Sequence, residues 1–197
     1  MGSSLGEWSA EPVMHSLVLR YGELTLKRRS PFVALSRSIV AQQISTKAAD
    51  TIRRRLAQRF GSTPELYATA SIPALRSLGL SRAKAKCLRE VAALTLAGEF
   101  DELEQLRDES AIARLRTIRG IGPWTAEMFL IFCLGRQDVW PIADAGLRAA
   151  AGRLYGANSR SSVEQLGVRF RPKRSVAALY LWKSLENSVD RCGRLTC

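Results

Sequence analysis

Apolar residues recur near every 3.6 positions along almost the whole chain, with Ala, Leu and Arg dominating and few stretches of alternating β-branched residues. That period lines one face of a helix and leaves no run suited to a half-buried strand, so the chain reads as all-α. Helices are predicted over 10–20, 31–41, 46–60, 64–69, 72–77, 82–97, 109–118, 123–133, 144–154, 161–169 and 173–189. Gly61, Gly79, Gly98 and Gly156 follow such segments, at the place where a helix end favours glycine. With 197 residues, 46% of them hydrophobic, the chain suffices for one substantial core, or for two small lobes sharing a cleft.

Charge narrows the partners. Thirty basic residues oppose 18 acidic ones, a net charge of +12, and 24 of the basic residues are Arg, which forks onto phosphates. A polyanion is the expected partner, and charge alone leaves DNA, RNA and acidic membranes open. No apolar run approaches the ~20 residues of a membrane span, and the N-terminus lacks a signal-peptide core, so an intracellular, cytoplasmic protein is expected. Cys87, Cys133, Cys192 and Cys197 form no paired framework and read as reduced thiols. His15 is the single histidine, which leaves histidine catalysis and zinc ligation almost no material.

One segment carries chemistry. Ile112, Leu115 and Ile118 keep helical spacing up to Gly120-Ile121-Gly122; Pro123 then suits a helix start, and Thr125, Ala126, Phe129, Leu130 and Phe132 continue an apolar helix. Two residues without Cβ can take φ > 0 and let backbone approach a ligand, and the amides of a helix start hold phosphate oxygens. Further on, Trp140-Pro141-Ile142-Ala143-Asp144 presents an isolated carboxylate, with no other acidic residue until Glu164.

Together with Pro31-Phe32 leading to Ile39-Val40-Ala41-Gln42-Gln43-Ile44-Ser45, and Arg174-Ser175 leading to Tyr180-Leu181-Trp182, this segment resembles the helix-hairpin-helix (HhH-GPD) DNA glycosylases. The likeness is to their alkylbase branch, the AlkA-like DNA-3-methyladenine glycosylase II type, and it covers most of the chain. It implies one glycosylase domain over 1–197, with two helical lobes around a DNA-binding cleft and without the N-terminal β domain of longer members. It also implies a monomer acting on double-stranded DNA with damaged bases, and no cofactor, leaving open a monovalent cation at the hairpin. Some members hold an iron–sulfur cluster on closely spaced cysteines after the Asp region, and that pattern is missing here.

The resemblance assigns roles residue by residue. Gly120, Gly122 and Thr125 would hold phosphate, and Gln42 and Gln43 would meet the strand, with Gln43 at the position of the wedge that fills the gap left by a flipped nucleotide. Asp144 would stabilise the oxocarbenium-like sugar and orient water, a role compatible with N-capping the helix it precedes. Trp124, Met128 and Trp182 would line a base pocket whose π faces suit a cationic alkylated purine. Members that also nick the strand carry a lysine where this chain has Trp124, so release of the base without strand cleavage is expected.

Several alternatives stand beside these roles. Gln42 and Gln43 can bridge helices, Trp140 and Tyr180 can be core or pocket, and Arg82, Lys84 and Lys86 can be a phosphate contact or a solvated helix end. Arg53, Arg54, Arg55 and Arg59 read as an exposed helix face. For the whole chain, a non-catalytic DNA-binding module and a glycosylase for oxidised or mismatched bases are the competing functions. A pure phosphate binder needs neither Asp144 nor the aromatic residues of a base pocket, and an oxidised-base enzyme would be expected to carry the lysine or the cluster.

Overall fold

The computed structural model describes residue 8 and residues 10–192, with backbone alone from 187 to 192. The described residues form eleven α-helices and one short 3₁₀ turn, with no strand. The helices are α1 (Pro12–Tyr21), α2 (Pro31–Ala41), α3 (Thr46–Phe60), α4 (Glu65–Thr69), α5 (Ile72–Ser77), α6 (Arg82–Leu96), α7 (Asp108–Leu115), α8 (Pro123–Phe132), α9 (Ala145–Tyr155), α10 (Arg160–Arg169) and α11 (Arg174–Cys192).

Their starts are written in the sequence. Pro12, Pro31 and Pro123 open α1, α2 and α8, where a missing N–H costs nothing. Ser45, Ser71 and Ser81 accept from the third backbone amide of α3, α5 and α6. Gly156 ends α9 in the left-handed conformation.

The chain divides into two compact units: Arg28–Gly135, and a discontinuous unit made of residues 1–27 with 136–197. In the first, α2 packs on α3, α6 and α8, and α7 packs on α8. Phe32, Leu35, Leu75, Leu88, Leu115 and Phe129 are each fully buried there. Buried aliphatic and aromatic groups of this size stabilise a unit by roughly 1.5–3 kcal/mol each.

The second unit packs α11 against α1 and α9 around Phe170, whose ring meets those of Trp8, Trp140 and Tyr155. Trp140 is core rather than pocket. Its indole donates to the Val163 carbonyl and lies over Gly167, where a Cβ would fall only 2.5 Å from the ring. Tyr180 is also core: its fully buried hydroxyl donates to the Gly22 carbonyl and accepts from the Leu24 amide, tying the N-terminal segment to α11.

Two basic groups are likewise resolved. Arg54, Arg55 and Arg59 are exposed on α3, and Arg53 pairs with Asp50. Arg82 and Lys86 are exposed at the start of α6, whereas Lys84 turns inward to two backbone carbonyls, a third placement beside the phosphate contact and the solvated helix end that the sequence left open. Cys87 and Cys133 are buried free thiols, and burial pushes Cys87 up to about 12, so neither is a ready nucleophile. Cys197 and the side chain of Cys192 lie outside the described residues. No described helix is long and apolar enough to cross a membrane.

Candidate functional site

In the Arg28–Gly135 unit the segment Ile118–Pro123 turns sharply between α7 and α8. Gly120 sits at φ 99°, a conformation open to glycine, and a Cβ there would press on Cys87 Sγ at 3.0 Å. Gly122 differs from the sequence expectation: its φ is −91°, and a Cβ would meet nothing within 4 Å. The fold thus demands glycine at 120 but not at 122, where a side chain would meet open space. The ladder of α8 begins with the Ala126 amide donating to the Gly122 carbonyl, so the amides of Trp124 and Thr125 lie ahead of it, at the positive pole of the helix.

The turn after α2 lies in the same unit and is bonded directly to the hairpin. Gln42 Nε2 donates to the Gly120 carbonyl at 3.0 Å and to Thr125 Oγ1 at 2.9 Å. Thr125 is buried, so its hydroxyl serves this internal bond. Gln42 and Gln43, which looked alike in the sequence, separate here. Gln42 turns inward, while Gln43 is exposed at φ 56°, the one non-glycine positive φ among the described residues. Left-handed backbone costs an L residue roughly 1–2 kcal/mol, so it is kept only where the surroundings impose it.

Trp124 stands half-buried on the second position of α8, and Met128, one turn on, is buried. Met128 therefore contributes packing, and of this pair Trp124 offers the accessible aromatic face. No signal in the sequence distinguished them.

In the discontinuous unit, Asp144 is the N-cap of α9. Its Oδ1 accepts from the Leu147 amide at 2.6 Å and from the Trp182 indole Nε1 at 2.8 Å. The carboxylate is half-buried rather than sealed. Gly146 makes the pairing feasible, because a Cβ there would sit 3.1 Å from Asp144 Oδ1 and 3.2 Å from the Trp182 ring. Sequence reasoning passed over Gly146; its placement two residues after an isolated Asp was the only available hint.

The loop that delivers Asp144 is clamped to the start of α11. Ser175 donates to the Arg136 carbonyl and accepts from the Val139 amide, and Arg174 Nε donates to Asp138 Oδ1 at 2.7 Å. Burial pushes the Asp138 carboxyl upward, but the Arg174 guanidinium pulls it further down, to a net value below the usual carboxylate range. One helix thus carries both the clamp of the Asp144 loop and the indole that bonds the carboxylate.

A model of the HhH-GPD superfamily of base excision DNA repair proteins matches residues 36–172. DNA-3-methyladenine glycosylase 1 of Schizosaccharomyces pombe is 34% identical over 170 residues, covering 81% of this chain and 75% of that protein. The solved structure of a 3-methyladenine DNA glycosylase from the same organism, in complex with abasic DNA, superposes with a TM-score of 0.78 at 32% identity, covering 88% of this chain and 91% of that one. A 3-methyladenine DNA glycosylase from Archaeoglobus fulgidus gives the same TM-score at 30% identity, covering 88% of this chain and 66% of the other.

Proposed function

The chain belongs to the HhH-GPD superfamily of base excision DNA repair proteins, and from that membership we infer that it is a monofunctional DNA glycosylase releasing alkylated purines from duplex DNA. The observation that carries the chemistry is the Asp144 carboxylate, oriented on one oxygen by the Leu147 amide and the Trp182 indole. A group so held needs no reorganisation when positive charge develops on the sugar.

In the reaction, the bond between the sugar C1′ and the base nitrogen breaks, and its electron pair leaves with the base. A ring-alkylated purine is cationic before this step and neutral after it, so the lesion itself supplies a good leaving group. Water adds to C1′ and loses its proton to the carboxylate or to solvent, leaving an abasic site. Asp144 stabilises the oxocarbenium-like sugar and orients the water. Trp124 offers a π face that attracts a cationic base by roughly 0.5–2 kcal/mol over a neutral one. Gly120, Gly122 and the amides of Trp124 and Thr125 hold the strand by its phosphates, and Gln43 fills the gap left by the flipped nucleotide. The chain works as a monomer and needs no cofactor for the chemistry; a monovalent cation at the hairpin would serve phosphate contact alone.

Trp124 stands where a strand-nicking member would carry its lysine, which supports base release without cleavage. A panel of duplexes, each with one lesion, tests the reading. Release of 3-methyladenine and 7-methylguanine, intact strands until alkali is added and no adduct trapped by borohydride are expected. Inactivity toward every alkylated base, or a trapped adduct with an oxidised one, would overturn it.

A further inference from the structure

The turn carrying Gln43 and the hairpin carrying Gly120 are distant in sequence yet share one side chain. Gln42 Nε2 reaches across to the Gly120 carbonyl and Thr125 Oγ1. From α6, the Lys84 ammonium donates to the Gln42 carbonyl at 2.6 Å and the Val40 carbonyl at 2.9 Å. Those carbonyls close the C-terminal end of α2, where unsatisfied oxygens and the negative helix pole favour a cation. Between the two anchors Gln43 is exposed and held in the left-handed region. Gln42 Nε2 spends both of its N–H groups inside the unit, and Lys84 spends two of its three there.

We propose that Gln42 and Lys84 are positioning residues for Gln43: they form a bracket that makes the phosphate-gripping hairpin and the inserting side chain one rigid piece. Capture of the strand backbone by the hairpin then sets the depth and register at which Gln43 enters the stack. This rests on the reading of Gln43 as the wedge, and the experiment separates the two.

The test uses the full chain and a duplex carrying one 7-methylguanine beside a 2-aminopurine, whose fluorescence rises on unstacking. Gln42→Glu keeps the side-chain shape but sets an oxygen against the Gly120 carbonyl, and Gln42→Met removes the donor without adding charge. Lys84→Met removes the cation, and Lys84→Arg restores one. Gln43→Ala, both Gln42 variants and Lys84→Met are expected to lower the single-turnover release rate and the fluorescence rise in parallel, by about 10- to 100-fold. Affinity for undamaged duplex, dominated by phosphate contacts, stays within about threefold, and Lys84→Arg recovers most of the loss.

Because Gln42 acts through Gln43, the double variant Gln42→Met/Gln43→Ala is expected to be no slower than the slower single variant. Normal unstacking in the Gln42 and Lys84 variants, with Gln43→Ala impaired, overturns the bracket alone. So does a double variant whose losses multiply. A silent Gln43→Ala removes the wedge reading, and the bracket with it. Two substitutions at each of positions 42 and 84 keep the test decisive where one fails to fold.

Discussion

At the scale of single residues, the Asp144 carboxylate is held by two elements at once, the start of α9 and the indole of Trp182 on α11. The N-cap bond to the Leu147 amide and the indole bond fall on the same oxygen, so the helix start and α11 jointly fix the plane of the group. Trp182→Phe keeps an aromatic ring but deletes the donor. A hydrogen bond to a charged group contributes about 1.5–3 kcal/mol, so single-turnover base release should fall by at least about 10-fold while duplex affinity stays unchanged. An equal loss in both quantities would instead mark Trp182 as a binding surface. The isolated Asp and the aromatic positions were legible in the sequence because their types and order are distinctive. The Trp182–Asp144 bond was not, since it joins residues on two helices and depends on the bare Cα of Gly146.

At the scale of elements, the hairpin separates two uses of glycine that a sequence pattern cannot. Gly120→Ala forces an L residue to φ 99° and presses on Cys87, so the unfolding midpoint should drop by the equivalent of about 1–2 kcal/mol or more. Gly122→Ala, with ordinary backbone and no neighbour, should leave stability within about 0.5 kcal/mol and weaken duplex binding. Denaturant titration beside a binding isotherm distinguishes these outcomes; equal destabilisation by both would refute the external role of Gly122.

The clamp of α11 on the Asp144 loop has a pH signature. The Asp138 carboxyl titrates lower folded than unfolded, so the stabilisation is complete above its unfolded value near 4 and is lost as pH falls through the lower folded value. Asp138→Asn should therefore destabilise at pH 7 and cost progressively less below about pH 4. Midpoints that stay equally far apart at acid pH would exclude the ion pair as the cause. Helix extents were readable here because proline and serine starts recur. The inward turn of Lys84 was not, because charge at a helix start fits a solvated end equally well.

At the scale of the whole molecule, the +12 charge and the all-helical build follow from composition and period alone. Duplex affinity should accordingly fall linearly on a log–log plot against salt, with a slope of about −0.9 for each phosphate neutralised. A flat plot would mean that the charge serves something other than a polyanion. The division at Lys27/Arg28 and Gly135/Arg136 was not readable from the chain, because the second unit is assembled from segments far apart in sequence and held by contacts such as Tyr180 to Gly22. On the proposed function, base release depends on the carboxylate at the start of α9. The most direct measurement is single-turnover release of 7-methylguanine by Asp144→Asn, alongside duplex affinity: release should fall at least about 100-fold with affinity intact, and release at the unsubstituted rate would contradict the assignment.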